Sequence, residues 1–331
     1  MIRFGIISFA HMHAHSYARC LTSMPEARLV AIADDDAERG QAMAAQFGVP
    51  WHQNYGELLA RDDVDAVIVT TPNAKHTVAT LAAAIAGKHV LREKPLATTL
   101  DDCRMMIAAC QRAGVVLGTA FPCRYIPAVT RVKEQIDQGR AGKILAISGT
   151  NHGTMPPGWF LDKSLSGGGA VIDHTVHVAD LIRWLTGAEF AEVYAEIDTL
   201  LHDVPIDDVG LLSFKLTDGT ICTLDTSWSR LPHFPTWGDV TLSIVGDGGV
   251  VNVDSFNQKI ALYTEEPRTA WVHWGSDMDY LMLQDFARRV SRGEPPLATG
   301  EDGLRALELA LGAYRSAAEG QAASAEWEGL L

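Results

Sequence analysis

The chain has 331 residues, of which 47% are hydrophobic and 21% are charged, a composition typical of a folded globular protein and not of a disordered one. Its formal net charge of -14 at pH 7 argues against nucleic acid and anionic membranes as main partners, because both attract positive surfaces. The sequence has neither a signal-peptide pattern nor an apolar run long enough to span a bilayer, so we expect a cytoplasmic protein.

The five cysteines do not form the pattern of a disulfide framework or of a thiolate metal site. Their number is odd, and no two of them make the C-x-x-C pair that such sites commonly use. We therefore expect reduced and mostly buried thiols at Cys20, Cys103, Cys110, Cys123 and Cys222.

Up to about residue 121, short β-branched runs alternate with longer amphipathic segments that are rich in alanine. The apolar runs read RLVAIADDD, DAVIVTTP, KHVLREKP and GVVLGTAF, and segments such as HTVATLAAAIAGK carry apolar residues at helical spacing. Near-continuous apolar strands are typical of a parallel sheet that is buried on both faces. The pattern predicts an α/β domain with a doubly wound parallel sheet over residues 1–121.

After residue 121 the rhythm changes. The sequence predicts a helix, a strand, a loop with glycine and proline, a second helix from about Gly169 and then several strands in succession. Apolar and polar residues alternate roughly along these strands, and turn signals such as Asp218-Gly219 and Asp247-Gly248 separate them. Both features favour antiparallel pairing. Two helices end the chain. Residues 122–331 therefore predict a second α/β domain with an open, mainly antiparallel sheet.

The first strand is followed by a loop where a dinucleotide-binding protein keeps its glycine-rich phosphate turn. The three glycine positions of G-x-G-x-x-G would hold Ser8, Ala10 and His13. Histidines 11, 13 and 15 alternate, which would align them on a strand but spreads successive rings by about 200° on a helix. Because a helix is predicted to start here, the sequence predicts no metal site.

Polar side chains follow the next strands at their carboxyl ends, the edge of a parallel sheet where ligands bind. Asp34 ends the second strand at the position where a carboxylate accepts hydrogen bonds from an adenosine ribose. Asp35 and Asp36 follow it and would repel a 2′-phosphate, with Arg39 one turn into the next helix, which favours NAD over NADP. The same acidic run also fits a simple helix cap.

Two further strand ends carry candidate binding residues. TTPNAKH places Asn73 and His76 beyond a strand, although an Asn after Pro is also an ordinary turn and helix-capping residue. LREKPLA places Glu93 and Lys94 at the rim of the sheet beside a backbone-restricting proline. A surface ion pair is the alternative interpretation of this pair.

The segment GGGAVIDHTVHVADLIRWLTG predicts a helix with chemistry on one side. Asp173, His177 and Asp180 are spaced i, i+4, i+7 and lie within about 60° of one another, so a carboxylate could set the tautomer of a general acid or base. The alternative is a buried histidine satisfied by a neighbouring Asp. His174 lies about 100° from Asp173, which disfavours a metal site here. The three glycines would let the backbone approach a ligand closely.

Taken in order, these segments resemble the Gfo/Idh/MocA family of nicotinamide-dependent oxidoreductases. The resemblance covers nearly the whole chain and implies a Rossmann domain followed by an α/β domain whose sheet commonly forms a homodimer or homotetramer interface. It implies hydride transfer between NAD, or NADP as the second option, and a carbinol of a sugar, inositol or related polyol. Two alternatives stay open: redox-neutral chemistry (elimination, epimerisation or glycoside cleavage) on a retained cofactor, and a non-catalytic ligand sensor.

The resemblance also implies residue roles. Lys94 would lie by the nicotinamide and the reacting carbinol, Asp173 would orient substrate or base, and His177 would take the hydroxyl proton. The cofactor would contact Ser8, Phe9, Ala10, Asp34, Thr71, Pro72, Asn73, His76, Glu93 and Lys94. The substrate would face Arg124, Tyr125 and Trp159, with Trp228, Trp237, Trp271 and Trp274 as further aromatic candidates that more often belong to a core or an interface.

The chain departs from the family at its first turn, where SFA stands in place of glycines. When AHMHA is aligned on the family's Gly-x-x-His-Ala, Ala10 replaces the last glycine and the loop becomes a few residues shorter. Ala10 is small enough for close approach, and the helix start would still offer backbone N–H groups to a pyrophosphate. We therefore interpret the segment as a shortened phosphate turn.

Overall fold

The computed structural model describes residues 1–236, 238–263 and 269–324. They form two compact units: residues 1–122 with 277–304, and the described residues of 123–276 with those from 305 on. The sequence predicted a single boundary between residues 121 and 122. The structure differs because a helix near the C-terminus, which periodicity alone cannot assign to either unit, packs with the first one.

The first unit contains a six-stranded, fully parallel sheet in the order β3-β2-β1-β4-β5-β6. This order is the doubly wound Rossmann arrangement, in which ligands bind beyond the carboxyl ends of the strands where the strand order reverses. The predicted parallel sheet is therefore confirmed. Its strands are β1 (Ile2–Ile7), β2 (Ala27–Ala33), β3 (Trp51–His52), β4 (Ala66–Val69), β5 (His89–Arg92) and β6 (Leu117–Thr119).

Helices cover this sheet, and their ends carry ordinary capping groups. The Asp36 side chain accepts the Arg39 N–H at the start of the second helix, and Thr99 does the same for Asp102 at the fifth, which satisfies amides that a helix start leaves without partners. The helices are α1 (His13–Ser23), α2 (Ala37–Phe47), α3 (Tyr55–Leu59), α4 (His76–Ile85) and α5 (Leu100–Ala113).

The helix from the C-terminal part of the chain that joins this unit spans Met278–Arg292. Phe286 on it packs against Phe4 of β1, with ring centroids 6.1 Å apart, and both rings are buried. Arg288 forms an ion pair with Glu26 at 2.7 Å. Apolar packing, with an ion pair at its edge, thus binds this segment to the N-terminal sheet.

The second unit is built on a seven-stranded sheet that is antiparallel except for one pair. Strands β7 (Ile144–Gly153) and β10 (Ile221–Ser227) run parallel at its centre. The prediction of a mainly antiparallel sheet is confirmed. The others are β8 (Phe190–Asp198), β9 (Val209–Leu216), β11 (Gly238–Gly246), β12 (Gly249–Asp254) and β15 (Ala323–Ser324), and β13 (Lys259–Tyr263) pairs separately with β14 (Thr269–His273).

One face of this seven-stranded sheet is covered by a long buried helix, α8 (Ala170–Thr186). Val178 reaches Gly149 of β7 and Val171 reaches Gly210 of β9, at positions where an added Cβ would overlap the helix side chain. Helices α6 (Pro127–Asp137), α7 (Lys163–Ser166), α9 (Met278–Arg292) and α10 (Gly300–Glu319) complete the chain. Within the described ranges, no helix has the length and apolar character needed to cross a bilayer.

Candidate active site

The backbone N–H groups of the first turn are already bonded inside the chain. Ser8 N–H donates to the Ala33 carbonyl at 2.7 Å, and His11 N–H donates to the Thr70 carbonyl at 3.1 Å. Between them, Phe9 N–H donates to Asp34 Oδ2 at 2.7 Å and Ala10 N–H donates to Ser8 Oγ at 3.1 Å. A pyrophosphate at this turn would have to replace these internal acceptors.

Ser8 occupies a backbone conformation that glycine usually takes. Its φ is 75°, in the left-handed region that costs a residue with a Cβ roughly 1–2 kcal/mol. Thr70 Oγ1 donates to the Ser8 carbonyl at 2.6 Å and so holds the turn against the end of β4. Ser8, at the first position of the missing glycine motif, thus has the backbone conformation of a glycine although it carries a side chain.

Asp34 is buried at the end of β2 and is saturated by protein donors. Arg39 Nε and Nη2 donate to its two oxygens at 2.8 and 2.6 Å, while the amides of Phe9 and Asp36 donate to the same carboxylate. Lys75 pairs with Asp35 at 3.3 Å. The two cations therefore neutralise the three carboxylates of the acidic run only in part. Arg39 lies in the first turn of α2, and its side chain reaches back to the end of β2.

A cavity of about 300 Å³ opens beside these residues within the first unit. Its lining includes Ser8, Asp34 and Thr71 after β1, β2 and β4, together with Tyr55 of α3 and Lys75 before α4. Pocket and carboxylate together match the position where a doubly wound sheet holds the adenosine part of a dinucleotide.

The residues after β4 form a short 3-10 helix (Asn73–Lys75) that leads into α4. Asn73 and His76 are buried, and a hydrogen bond of 2.8 Å joins His76 Nε2 to the Thr71 carbonyl, with Pro72 between them in the chain. Burial, with the nearby charge of Arg92, lowers the pKa of His76 well below its usual value. His76 is thus a neutral ring that holds the turn.

Glu93 and Lys94 follow β5 directly, and both are buried, with 0% and 5% of their surface exposed. The Lys94 amide donates to Glu93 Oε2 at 2.9 Å, Tyr17 Oη donates to Glu93 Oε1, and His13 Nδ1 lies 2.9 Å from the same oxygen. Burial alone would raise the pKa of Glu93, but the charges of His11 and His13 hold it well below its usual range. The alternative of a surface ion pair is therefore wrong.

The first unit has a cavity that can take part of a dinucleotide directly. Its first turn can bind the pyrophosphate only after an exchange of hydrogen bonds. The cavity suits an adenosine, and the buried Lys94 lies at the edge where a nicotinamide ring would lie. The ribose would reach Asp34 only in exchange for one of the protein donors that this carboxylate already has. The first turn offers its amides only if Asp34 and Ser8 release them.

In the second unit, α8 carries Asp173 and His177 as predicted, but their neighbours differ. Asp173 Oδ2 lies 3.3 Å from Trp228 Nε1, a donor, and 3.3 Å from His174 Nε2. His174 Nδ1 lies 3.0 Å from the Asn151 carbonyl oxygen. His174 and Asp173 therefore meet, although helical spacing predicts that they diverge, because side chains of adjacent residues can turn toward each other.

The glycines before α8 approach the chain itself. An added Cβ on Gly169 would lie 1.8 Å from the Asp207 carbonyl oxygen, and one on Gly168 would lie 2.3 Å from Tyr314 Oη. Asp207 accepts the amides of Gly169 and Val171 at 2.8 Å each and so caps α8. The expectation that these glycines let the backbone approach a ligand is corrected for two of them: Gly168 instead allows the close approach of Tyr314, and Gly169 that of the Asp207 loop.

Asp180, which the spacing grouped with Asp173 and His177, has a different partner. Arg124 donates to it through Nε and Nη2 at 2.8 and 2.6 Å, and both side chains are buried. The Arg124 guanidinium also lies 5.5 Å from the centre of the Trp184 ring. This ion pair binds the segment after β6 to α8, a role that the sequence did not reveal.

The remaining substrate candidates lie in the second unit. Tyr125 ends a 3-10 helix that follows the crossover, and Trp159 stacks on Phe160 with ring centroids 3.9 Å apart. Trp228 is a core residue with 1% exposure, whereas Trp271 lies under Lys259 and Trp274 is 59% exposed. Trp237 lies outside the described residues.

Comparison with known proteins agrees with this architecture. A family model described as "Oxidoreductase family, NAD-binding Rossmann fold" matches residues 2–121, and the "GFO/IDH/MocA C-terminal domain" model matches residues 129–252. A 1,5-anhydro-D-fructose reductase of Ensifer adhaerens is 32% identical over 90% of this chain and 91% of its own length. A myo-inositol 2-dehydrogenase of Thermotoga maritima is 28% identical over 96% of this chain and 97% of its own.

Solved structures show the same likeness. The crystal structure of GenD2 from gentamicin A biosynthesis in complex with NAD superposes with a TM-score of 0.88 at 28% identity, over 98% of this chain and 96% of that one. The resemblance seen in the sequence is thereby confirmed: the chain belongs to the Gfo/Idh/MocA family of oxidoreductases, with an NAD-binding Rossmann domain at its N-terminus.

Proposed function

We propose that this protein is an NAD(P)-dependent oxidoreductase that moves hydride between a nicotinamide and a carbinol of a sugar, inositol or related polyol. The observation that carries the proposal is the buried Glu93-Lys94 pair at the cofactor edge of a Rossmann sheet. The names of two relatives support the substrate class: one is a 1,5-anhydro-D-fructose reductase and the other is a myo-inositol 2-dehydrogenase.

Three side chains would carry the chemistry. The bound cofactor supplies the hydride acceptor or donor. The Lys94 ammonium stabilises negative charge that develops on the carbinol oxygen, which a desolvated position strengthens. His177 takes the hydroxyl proton, and Asp173, held by Trp228, orients the substrate or the base. In this proposal the cofactor contacts Ser8, Phe9, Ala10, Asp34, Thr71, Pro72, Asn73, His76 and Glu93, and the substrate contacts Arg124, Tyr125 and Trp159.

A polyol and sugar panel with NAD⁺ and NADP⁺, followed by nicotinamide absorbance, tests the reaction class. We expect one reduced nicotinamide for each substrate molecule oxidised. Product formed without accumulation of reduced cofactor would instead support elimination, epimerisation or glycoside cleavage. Ligand binding without any turnover across the panel would support a sensor.

We further propose that two or four copies associate through the seven-stranded sheet, on the face opposite α8. That face exposes apolar side chains on β8, β9, β10 and β11, at Tyr194, Leu211, Ile221 and Val245, around small residues such as Thr223. An exposed apolar surface of this kind is typical of an interaction site.

The association is tested by Thr223→Arg, which places a large charge near the centre of this face. We expect a dimer or tetramer for the natural sequence and a monomer for Thr223→Arg in light scattering after size exclusion. Ile85→Arg, on an exposed helix position of the first unit, is the matched control and should leave the mass unchanged. A monomeric natural protein would contradict the proposal.

A further inference from the structure

The histidines of the first turn do not diverge as the sequence predicted. Helix α1 begins at His13, so His11 lies in the preceding turn, and the two ring centroids are only 4.4 Å apart. His15 faces elsewhere, with its ring edge-on to Phe9 at 5.4 Å. Two of the three imidazoles therefore converge, and the expectation of no metal site, which rested on their divergence, loses its basis.

A carboxylate completes the cluster. One ring nitrogen of His11, one of His13 and one oxygen of Glu93 lie within 4.8 Å of one another. Two zinc ligands at about 2.1 Å in tetrahedral geometry would be roughly 3.4 Å apart, so small side-chain rotations bring these atoms into place. The His13 Nδ1 to Glu93 Oε1 distance of 2.9 Å is already close to that separation.

We infer that His11, His13 and Glu93 form a binding site for one divalent transition-metal ion of the zinc type. Two imidazoles and a carboxylate are the donor set of catalytic zinc sites, and they favour Zn²⁺, Co²⁺ or Ni²⁺ over Mg²⁺ and Ca²⁺. The inference does not depend on the proposed hydride-transfer function.

The surroundings favour such an ion. Glu93 is fully buried, so its carboxylate would attract an ion bound between it and the two imidazoles in a low-dielectric setting. Tyr17 Oη donates to Glu93 Oε1, which fixes the carboxylate in the way that outer hydrogen bonds orient metal ligands. Without metal, the hydrogen bond between His13 Nδ1 and Glu93 Oε1 occupies part of the same space.

Binding has one identifiable local cost and leaves an open coordination position. The His13 amide donates to His11 Nδ1 at 3.2 Å, and this long hydrogen bond is lost whichever ring nitrogen of His11 binds the ion. The His13 side chain keeps 37% of its surface exposed, so a water molecule or another small ligand can reach the fourth position. Three protein ligands with one open position distinguish this arrangement from a closed structural zinc site.

The test uses the full-length protein without an affinity tag, after treatment with chelator. Titration with ZnCl₂ in a calorimeter should show one ion per chain, and CoCl₂ should produce the visible absorption bands of low-coordinate cobalt. His11→Ala and His13→Ala should each weaken Zn²⁺ binding by more than 100-fold, since even the loss of an outer hydrogen-bonding partner costs about 10–100-fold.

His15→Ala is the matched control and should bind Zn²⁺ as the natural sequence does. Absence of a stoichiometric site in the natural protein would overturn the inference, and so would equal weakening by His15→Ala or unchanged binding in the two ligand variants. Thermal unfolding without metal verifies that each variant folds. If the alanine variants do not fold, His11→Gln and His13→Gln carry the same test.

Discussion

At the scale of single residues, the first turn is the least usual part of this Rossmann unit. Its amides are occupied by Asp34 and Ser8, whereas a glycine-rich turn leaves them to a pyrophosphate. Ser8 nevertheless keeps a φ of 75°. Cofactor binding at this turn is therefore a competition between internal acceptors and phosphate oxygens.

That competition yields a prediction for Ser8. Ser8→Ala removes the hydroxyl that accepts the Ala10 amide, and Ser8→Gly in addition removes the left-handed strain. Both variants should bind NAD⁺ several-fold more tightly, since one released hydrogen bond is worth about 0.5–1.5 kcal/mol. Tighter binding by Ser8→Gly alone would point to strain relief, and weaker binding by both would show that the hydroxyl itself holds the cofactor.

The proposed catalytic roles lead to a second prediction at this scale. Lys94→Ala and His177→Ala should each lower kcat by about 10²–10⁴-fold, because general-base and charge-stabilising groups contribute on that order. NAD⁺ affinity should change little. Lys143→Ala and His233→Ala, both at exposed positions, serve as controls. Near-normal turnover in both Lys94→Ala and His177→Ala would contradict the proposed mechanism.

At the scale of secondary-structure elements, an ionic cluster ties three strands of the second sheet together. His152 on β7 lies 3.0 Å from Asp239 on β11 and 3.1 Å from Asp225 on β10. Burial alone would lower the pKa of His152, but the hydrogen bonds and charges of the two carboxylates raise it to about 9. Protonated His152 therefore stabilises the folded sheet.

This cluster predicts a loss of stability in mild base. The contribution of His152 is complete below about pH 6.5, the usual pKa of an unfolded histidine, and disappears as the pH rises toward 9. Across that range the free energy of unfolding should fall by at most about 1.4 kcal/mol per pH unit. Denaturant unfolding at several pH values measures the slope, and His152→Gln should flatten it; an equal slope in that variant would contradict the assignment.

Two buried arginines differ in their partners, and their replacement should change stability in opposite directions. None of the three guanidinium nitrogens of Arg92, at the end of β5, has a hydrogen-bond partner among the described residues. Burial lowers the Arg92 pKa to about 9. Arg124 instead makes its buried, two-pronged ion pair with Asp180.

Arg92→Met should raise the free energy of unfolding by about 1–4 kcal/mol, because it removes a desolvated charge that no acceptor of the chain compensates. Arg124→Met should lower the same quantity by about 3–5 kcal/mol, since it leaves Asp180 buried without its cation. Denaturant unfolding of both variants measures the contrast. Equal destabilisation would mean that Arg92 has an acceptor, such as bound water, in solution.

At the scale of the whole molecule, the sequence predicted most of the periodic elements and few of the contacts between residues that are distant in the chain. Apolar runs and strand-end signals were enough to locate the parallel sheet, the mainly antiparallel sheet and the segment around Lys94, because periodicity and turn chemistry are local. The family resemblance then assigned roles that spacing alone left open.

What the sequence missed are contacts between residues far apart in the chain. Asp34 meets the Phe9 amide, Asp173 meets Trp228, and Glu93 meets His11 and His13, in each case because the fold joins separate strand ends or loops. The helix containing Phe286 illustrates the same point for whole elements, since its amphipathic pattern does not indicate which sheet it will cover.

The most direct test of this account is calorimetric titration of the intact protein with NAD⁺ and NADP⁺. We expect one NAD⁺ per chain, bound more tightly than NADP⁺ because Asp34, Asp35 and Asp36 disfavour a 2′-phosphate despite their pairing with Arg39 and Lys75. Binding of neither cofactor would contradict the account, because the shortened turn would then have lost the dinucleotide.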